Sequence, residues 1–453
     1  MRLSRFLLPA IFCLGCDPQA APQTSRDASS STGPSATPAT SSTPQQTSTT
    51  TTASATPSST APAAQDVPAP AKDAVAKLAT SSNQFGFDLY KKLGEKNKGN
   101  LVISPASLTT ALAMTWGGAK GETEKQMRKV LHLTGSSDEV MDTSGKLAQS
   151  LTNPSRSVVF RIANRLFGEK TYGFEKDYLE RTKKAYGAPL EQVDFVNAAE
   201  PARTQINGWV SDKTEKRIKD LIPPKGVDGE TRLVLVNAIY FLGDWEEPFE
   251  KQRTQPAAFQ LGAGKTKEVP MMNRTDGFKI GQAGGATALE LPYKGGEMSM
   301  VLVVPDKVDG LAALEKSLDV GSMNALLGSM KSELVWASIP KFEINPGESL
   351  ALKELLSGLG MSEAFDRRKA DFTGIANPAK AEDRLVISQV FHKGFIRVDE
   401  QGTEAAAATA VAQARAGAAP MKPREFKADR PFMFFIRDNA SGLTLFMGRV
   451  TEP

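Results

Sequence analysis

The segment Glu400-Gln-Gly-Thr-Glu-Ala-Ala-Ala-Ala-Thr-Ala-Val411 decides the fold, because its small side chains contrast with the residues that precede it. It follows the run Leu385–Val398, whose bulky and β-branched residues predict a long strand. One interpretation of the segment is a helix, since alanine has the highest helix propensity and Glu404 would lie near the helix start. That interpretation rests on propensity alone.

A strand period gives a second interpretation of the same residues. At a period of two, one face carries Thr403, Ala405, Ala407, Thr409 and Val411, and the other carries Glu404, Ala406, Ala408 and Ala410. No proline or large side chain interrupts either face between Gly402 and Gln413. Such a segment can lie exposed as a loop and later enter between two strands, where bulk would clash and proline would lack an N–H donor.

With its flanks, the segment resembles the hinge of a serpin, a member of the serine protease inhibitor superfamily, here of a bacterial exported or lipoprotein type. Further matching motifs occur in the family's order from Asp73 to Pro453, namely Asn100–Ser107, Val236–Trp245, Ile339–Phe342, Phe426–Phe432 and Leu445–Val450. The resemblance implies a metastable α+β fold with about nine helices packed on three β-sheets. It also implies an exposed reactive-centre loop at about residues 400–423.

Composition divides the chain into three parts. Residues 1–16 are interpreted as an export signal, 17–72 as a disordered tether and 73–453 as the serpin domain. Between Pro18 and Pro70 the sequence is almost entirely Ser, Thr, Pro, Ala and Gln without an aromatic residue, so it cannot bury enough apolar surface to fold. The remaining residues carry regularly spaced apolar segments that can build one large core.

The N-terminus predicts export from the cell. Arg2 and Arg5 precede the apolar run Phe6–Gly15, which is too short to span a membrane. Leu-Gly before Cys16 resembles the end of a bacterial lipobox, although Cys13 stands where that motif usually has leucine. Two outcomes stay open, a cell-envelope lipoprotein anchored through Cys16 or simple cleavage and release as a secreted, extracellular protein.

Composition and motifs exclude several classes of function. The 55 basic and 51 acidic residues are scattered and leave a net charge of only +4, so no nucleic-acid partner is expected. Only two histidines occur, His132 and His392, and no nucleophile elbow, phosphate loop or dinucleotide fingerprint is present. We therefore expect a monomer that is not an enzyme and holds no metal or cofactor. The only cysteines are Cys13 and Cys16, so the domain has no disulfide.

Periodicity and turn signals predict helices early in the domain and strands late, which is typical of an α+β fold. The predicted helices are Ser104–Gly118, Glu122–Leu131 and Thr204–Leu221. Besides the run from Leu385, the predicted strands are Val158–Ala163, Leu233–Phe241, Ser299–Val304, Leu334–Ile339, Phe432–Arg437 and Leu443–Val450.

His392 lies inside the predicted strand Leu385–Val398, where an imidazole would be largely buried. One interpretation is a core histidine satisfied by hydrogen bonds. The resemblance implies a more specific role, in which His392 belongs to the shutter of the main sheet with Ser104, Ser107 and Asn237. These polar groups would bond to one another at the point where strands must separate.

The resemblance also places a breach at one end of the main sheet, formed by Trp245 and by Lys341 paired with Glu400. Without the resemblance, Lys341 and Glu400 could be two unrelated surface charges. As a pair, they would hold the base of the loop until insertion.

In serpins, a serine or less often a cysteine protease cleaves the loop, the hinge inserts into the main sheet, and the acyl-enzyme stays trapped. Counting the family's loop length from Gly402 places the reactive bond at Ala416–Gly417, which suits an elastase-like or subtilisin-like protease. A shift of one residue places it after Arg415, and the target is then trypsin-like. Met421 and Lys422 are more distant candidates.

A non-inhibitory serpin, acting as a binding or chaperone-like envelope protein, is the alternative function. Such members tend to carry proline, charge or bulk at the inward hinge positions. In this chain those positions are Thr403, Ala405, Ala407 and Thr409, all of them small. The hinge therefore predicts inhibition.

Overall fold

Capping residues and apolar periodicity set the limits of the helices in the computed structural model, which describes residues 71–187, 190–380, 383–403 and 422–453. Ser104, for example, starts a helix by accepting a hydrogen bond from the Ser107 N–H at 3.2 Å, with Pro105 in the first turn. The described ranges contain nine α-helices: α1 Lys72–Lys96, α2 Pro105–Trp116, α3 Gly121–Val130, α4 Ser137–Leu151, α5 Lys176–Tyr186, α6 Phe195–Lys213, α7 Leu311–Ser317, α8 Val320–Gly328 and α9 Lys353–Leu359.

Helix α6 differs from the predicted helix Thr204–Leu221 at both ends. It begins earlier, because Asp194 caps it and a kink at Ala198 lets Pro201 stand in a first turn, where its missing N–H is not needed. It ends at Lys213, because the following residues include Glu215 and Lys216 with left-handed φ angles of 51° and 63°.

The strands follow the expected positions with shifted limits. The predicted run from Leu385, for instance, becomes a strand only at Gln389. In chain order the strands are β1 Leu101–Ile103, β2 Val159–Glu169, β3 Glu191–Val193, β4 Leu233–Asp244, β5 Gln255–Gly262, β6 Lys265–Ala283, β7 Ala286–Pro292, β8 Met298–Pro305, β9 Lys331–Pro340, β10 Phe342–Ile344, β11 Leu350–Ala351, β12 Gln389–Val398, β13 Gly402–Thr403, β14 Arg424–Lys427, β15 Phe432–Asp438 and β16 Thr444–Val450.

The larger hydrogen-bonded network has the order β1-β16-β15-β8-β7-β6-β9-β14, with β5 paired to β6. Strand β6 is 19 residues long and joins different parts of this network. Its last residues, Lys279–Ala283, pair with β7, whereas Lys265–Met271 pairs with β5. Together with the main sheet below, this gives an α+β fold whose described strands form two hydrogen-bonded sheets.

The main sheet has the order β10-β12-β13-β4-β2-β3. Strands β4 and β12 are parallel and pair directly from Val234–Tyr240 to Gln389–Phe395. We call this junction the seam. Beyond it β13 lies between the two strands and runs antiparallel to both, with Thr403 opposite Val398 on one side and Gly243 on the other. The seam is therefore already open at one end.

Two clusters of buried apolar side chains pack on the two faces of the main sheet. The larger one joins helices α1 and α2 to both sheets and includes Leu235, Ile239 and Phe241 of β4. The smaller one, here called the α6 cluster, lies under α6 and the residues after it. It contains alternate residues of β4 together with Phe391 and Phe395 of β12, so it crosses the seam. In the described ranges, no helix is long and apolar enough to cross a membrane.

Candidate functional site

The first hinge residues, Gly402 and Thr403, already lie inside the main sheet. A Cβ added to Gly402 would lie 2.0 Å from the carbonyl oxygen of Gly243, so only glycine fits there. The Thr403 side chain is fully buried, and its hydroxyl shares a hydrogen bond of 2.6 Å with the Tyr293 hydroxyl. Burial raises the pKa of Tyr293 far more than this bond lowers it, so the phenol stays protonated. The remaining hinge residues, Glu404–Thr409, lie outside the described residues.

The residues before the hinge are held by Trp245. Its ring stacks on Tyr293 with centroids 4.7 Å apart, and its Nε1 donates to the Asp399 carbonyl oxygen at 3.0 Å. The Trp245 backbone N–H donates to the Gln401 carbonyl oxygen at 2.8 Å. Trp245 therefore fixes the chain on both sides of Glu400.

Glu400 points into the protein instead of into solvent. Its Oε2 lies 3.0 Å from Lys341 Nζ, and its Oε1 accepts a hydrogen bond from Thr254 Oγ1 at 2.9 Å. Burial raises the pKa of Glu400, but the bonds from Lys341 and Thr254 and the charge of Lys341 outweigh it, so the pKa lies below its usual value. The structure thus brings the predicted breach residues together, and it adds Thr254 as a partner that no sequence motif indicates.

Four polar side chains meet where α2 packs against the centre of the seam. His392 Nδ1 and Asn237 Oδ1 are joined by a short hydrogen bond of 2.5 Å across the seam. Asn237 Nδ2 donates to Ser107 Oγ at 2.7 Å, and the Ser104 N–H donates to His392 Nε2 at 3.2 Å. The structure therefore places all four predicted shutter residues in one buried network.

Asn164 of β2 is a fifth member of this network, and sequence reasoning missed it. Its Oδ1 accepts from Asn237 Nδ2 at 2.5 Å and from Ser107 Oγ at 3.0 Å, and it stands opposite Asn237 in the β2–β4 ladder. The only sequence signal is a residue of low β propensity inside a strand. Its role depends on a pairing that local sequence does not encode.

The buried network fixes the tautomer of His392. Because the Ser104 N–H donates to Nε2, that nitrogen carries the lone pair. Nδ1 therefore carries the proton and donates a hydrogen bond to Asn237 Oδ1. Burial lowers the pKa of His392 to about 3, and the bond with Asn237 offsets this only partly. The imidazole is neutral at any physiological pH.

This pKa predicts a stability that depends on pH. In the unfolded chain the pKa of a histidine is about 6.5. Between pH 6.5 and about 3 the unfolded chain therefore binds a proton that folded His392 does not. The stabilisation is complete above pH 6.5 and falls by about 1.4 kcal/mol for each unit below it.

Urea unfolding at pH 7.5, 6.5 and 5.5 tests this for the native protein and His392→Gln, which does not titrate. We expect the native protein to lose more stability on acidification than the variant does. Equal losses would contradict the assignment, because the carboxylates common to both proteins would then account for the whole pH dependence.

Most of the remaining predicted site residues lie outside the described residues, namely the reactive-bond candidates Arg415, Ala416 and Gly417, the alternative Met421 and the lipidation candidate Cys16. The other alternative, Lys422, is the first described residue after the loop. The chain after the loop continues into β14, which pairs in parallel with β9. The loop thus starts in the main sheet and ends in a different sheet.

Comparison with known proteins supports this architecture. A family described as "Serpin (serine protease inhibitor)" matches residues 80–453. A leukocyte elastase inhibitor of Sus scrofa is 42% identical over 390 residues, covering 83% of this chain and 100% of its own. A leukocyte elastase inhibitor of Xenopus tropicalis is 39% identical over 383 residues, covering 83% of this chain and 99% of its own.

A solved structure of uncleaved ovalbumin is also similar. It superimposes with a TM-score of 0.74 at 29% sequence identity, covering 83% of this chain and 100% of ovalbumin. The expected α+β arrangement of helices on several sheets is therefore confirmed.

Proposed function

Because the chain belongs to the serpin family, we propose that it inhibits serine endopeptidases by offering its loop as a substrate and inserting the cleaved hinge into the seam. It is an inhibitor and not an enzyme, as the family description and the names of its relatives state. The observation that carries the proposal is β13, in which Thr403 already pairs with both strands that would receive the hinge and Gly402 pairs with β4.

The register of β13 specifies where each following residue would go. In an antiparallel ladder, each step along the hinge moves the partner back by one residue. Starting from Thr403 opposite Gly243, continuation places Gln413 opposite Leu233, the first residue of β4. The stretch Gly402–Gln413, which contains neither proline nor a large side chain, therefore has the length of the strand that it would pair with.

The same register predicts which side chains turn inward. Residues directly opposite each other in a sheet share a face. Ala405, Ala407 and Val411 would stand opposite Phe241, Ile239 and Leu235, which lie in the larger cluster. Small inward residues are needed because that cluster is already closely packed.

Thr409 would arrive at the shutter. Counting from Thr403 opposite Gly243 and Val398 places it between Asn237 and His392, the pair whose hydrogen bond crosses the seam. A threonine hydroxyl can both donate and accept, so it can satisfy both groups after their own bond is broken. Insertion would therefore replace the direct β4–β12 pairing by two pairings, one between β4 and the hinge and one between the hinge and β12. Asn237 and His392 would both keep a hydrogen-bond partner.

The free energy released when the hinge inserts into the seam would move the protease that is bound to the cleaved loop. Thirteen residue steps separate Thr403 from Ala416, so at about 3.3 Å per step the travel is about 43 Å. An acyl-enzyme displaced this far along the sheet would be pulled against the body of the inhibitor, which can distort its active site before hydrolysis. The non-inhibitory alternative gains no support from the small inward hinge residues.

We place the reactive bond at Ala416–Gly417 and propose an elastase-like target. The loop length counted from Gly402 supports this bond, and relatives at about 40% identity are named leukocyte elastase inhibitors. Cleavage after Arg415 by a trypsin-like protease is the competing assignment.

Mixing the purified protein separately with pancreatic elastase and trypsin tests both the function and the bond. We expect an SDS-stable complex with elastase and a released fragment whose N-terminal residue is Gly417. A fragment that begins at Ala416 and a complex with trypsin would overturn the elastase assignment alone. Cleavage without any covalent complex, and without a rise in thermal stability, would overturn the inhibitory function.

For the N-terminal part, we propose export and acylation of Cys16, with the Ser, Thr, Pro and Ala-rich residues that follow it as a tether that ends before α1. The charges and apolar run before Cys16 support this, and the family match begins only at residue 80. We expect the protein produced in a bacterial host to sediment with membranes and to carry lipid on Cys16 by mass spectrometry. Cys16→Ala should release it from the membrane fraction, and an unlipidated native protein in the soluble fraction would contradict the anchor.

A further inference from the structure

A basic cleft of about 460 Å³ lies beside the seam, on the face covered by the α6 cluster. Its lining contains five basic side chains and two acidic ones, an excess of three positive charges. The basic residues are Lys216, Arg217, Lys219, Lys393 and Arg397. This volume lies in the range of pockets that bind small molecules.

The two walls of the cleft belong to opposite sides of the seam. One wall is the segment that follows α6, represented by Lys216 and Lys219. This segment is tied to the β4 side, because Glu215 forms an ion pair of 3.2 Å with Arg161 of β2, the strand that pairs with β4. The other wall is formed by β12, with Lys393 and Arg397, and by the loop after β10. A ligand in the cleft would therefore touch both parts that must separate during insertion.

Lys393 is the least accessible of the five cations. Only 8% of its surface is exposed, and its Nζ donates to the Gly347 carbonyl oxygen at 3.3 Å. Burial lowers its pKa, and the charge of Asp220 raises it by less. In the described ranges Lys393 forms no ion pair, so a buried ammonium faces the cleft without a directly bonded anion. Glu343 is one of the two acidic residues of the lining and stands opposite Arg397 in the β10–β12 ladder. The five basic residues still outnumber the two acidic ones, so the cleft is positive overall.

The wall that follows α6 is also strained. Glu215, Lys216 and Asp220 have φ angles of 51°, 63° and 50°, a left-handed conformation that is unfavourable for residues other than glycine. Backbone strain of this kind persists where the surroundings impose it and concentrates at functional sites. These left-handed residues end the helix and bring Lys216 and Asp220 to the cleft.

We propose that this cleft binds a small polyphosphate-type anion, which links the segment after α6 to β12 and so slows opening of the seam. The regulatory part rests on the proposed function, whereas the binding part does not. Lysine and arginine at these positions supply point charges and a planar fork for phosphate oxygens. By linkage, an anion that binds the closed seam more tightly than the open one raises the barrier to insertion.

Calorimetric titration with sodium tripolyphosphate at constant ionic strength tests the binding part, with the whole chain and no protease present. We expect Lys393→Met to weaken the affinity by about tenfold or more, since a charge-assisted hydrogen bond is lost. Arg397→Gln, an exposed position, should also weaken binding and cannot do so by unfolding the core. Lys265→Met removes the same charge from an exposed hairpin and is expected to leave the affinity within about twofold, as for screened charges outside a site.

Equal affinities of Lys393→Met and Lys265→Met would overturn the site, as would the absence of heat with the native protein. Annealing of a synthetic peptide with the sequence of residues 403–416 tests the regulatory part. We expect tripolyphosphate to slow annealing to the native protein and not to Lys393→Met. Binding without any change in the annealing rate would overturn the link between the cleft and the seam.

The two proposals fail separately. If the inhibitory function is wrong, no covalent complex forms with elastase or trypsin, yet the calorimetric difference between Lys393→Met and Lys265→Met is unaffected. If the cleft is wrong, the covalent complex still forms, and tripolyphosphate changes neither heat nor annealing.

Discussion

Thr403→Arg is expected to turn the inhibitor into a substrate, with the number of inhibitor molecules cleaved for each protease trapped rising about tenfold or more. Thr403 is fully buried between β4 and β12, and its hydroxyl bonds to Tyr293. An arginine there would bury an unpaired charge next to a phenol, which costs several kcal/mol, and each 1.4 kcal/mol changes a rate ratio tenfold. Insertion would slow while deacylation continued, so the protease would escape.

Titrating a fixed amount of the sensitive protease with Thr403→Arg measures this stoichiometry directly. Thr403→Ser is the matched control, because it keeps the hydroxyl and removes only a methyl group. We expect it to inhibit as the native protein does. An arginine variant with unchanged stoichiometry would refute the requirement that position 403 stay inside the sheet while the rest of the hinge inserts.

Asn237→Ala is expected to have the largest effect on stability. Asn237 bonds to His392, Ser107 and Asn164 inside the protein. Its removal leaves the buried His392 Nδ1–H without a partner, at a cost of about 1–3 kcal/mol. Ser107 Oγ and Asn164 Oδ1 each lose one hydrogen bond of about 0.5–1.5 kcal/mol but stay bonded to each other, so we expect a total loss of about 4 kcal/mol. At an unfolding entropy of about 2.1 cal/mol/K per residue, a domain of about 380 residues loses roughly 1.3 °C per kcal/mol, so the melting temperature should fall by about 5 °C.

Thermal unfolding followed by circular dichroism at one fixed scan rate measures the loss. Asn324→Ala is the control, since it removes the same group from an exposed position on α8. A fall in melting temperature of similar size in both variants would show that the network around Asn237 adds no stability of its own.

The hinge could be located from its own residues, because small side chains without proline follow a strand-like run. The shutter and the breach were predicted only through the resemblance to serpins, since the residues alone left His392 as a core histidine and Lys341 and Glu400 as two unrelated charges. Asn164 and Thr254 could not be found in this way. They reach Asn237 and Glu400 only through strand pairing and chain packing between residues far apart in sequence.

The end of α6 could not be predicted for a different reason. The lysines and acids from Lys213 to Lys219 have the spacing of a helix surface, so local pattern favours continuation. In the structure, the Thr214 hydroxyl accepts a hydrogen bond from the Ile218 N–H at 3.2 Å, and the Ile218 side chain belongs to the α6 cluster. Burial of that side chain outweighs helix propensity, and the resulting bend forms one wall of the basic cleft.

The two residues of β13 have a kinetic consequence. The least favourable step in adding a strand is the first pairing, because a flexible segment loses its freedom before it gains contacts. Here Thr403 is already paired with both β4 and β12, and Gly402 with β4, while the loop is uncleaved. After cleavage, strand pairing needs only to extend from Thr403 along β4 and β12. Insertion therefore competes with hydrolysis of the acyl bond without a slow initiation step.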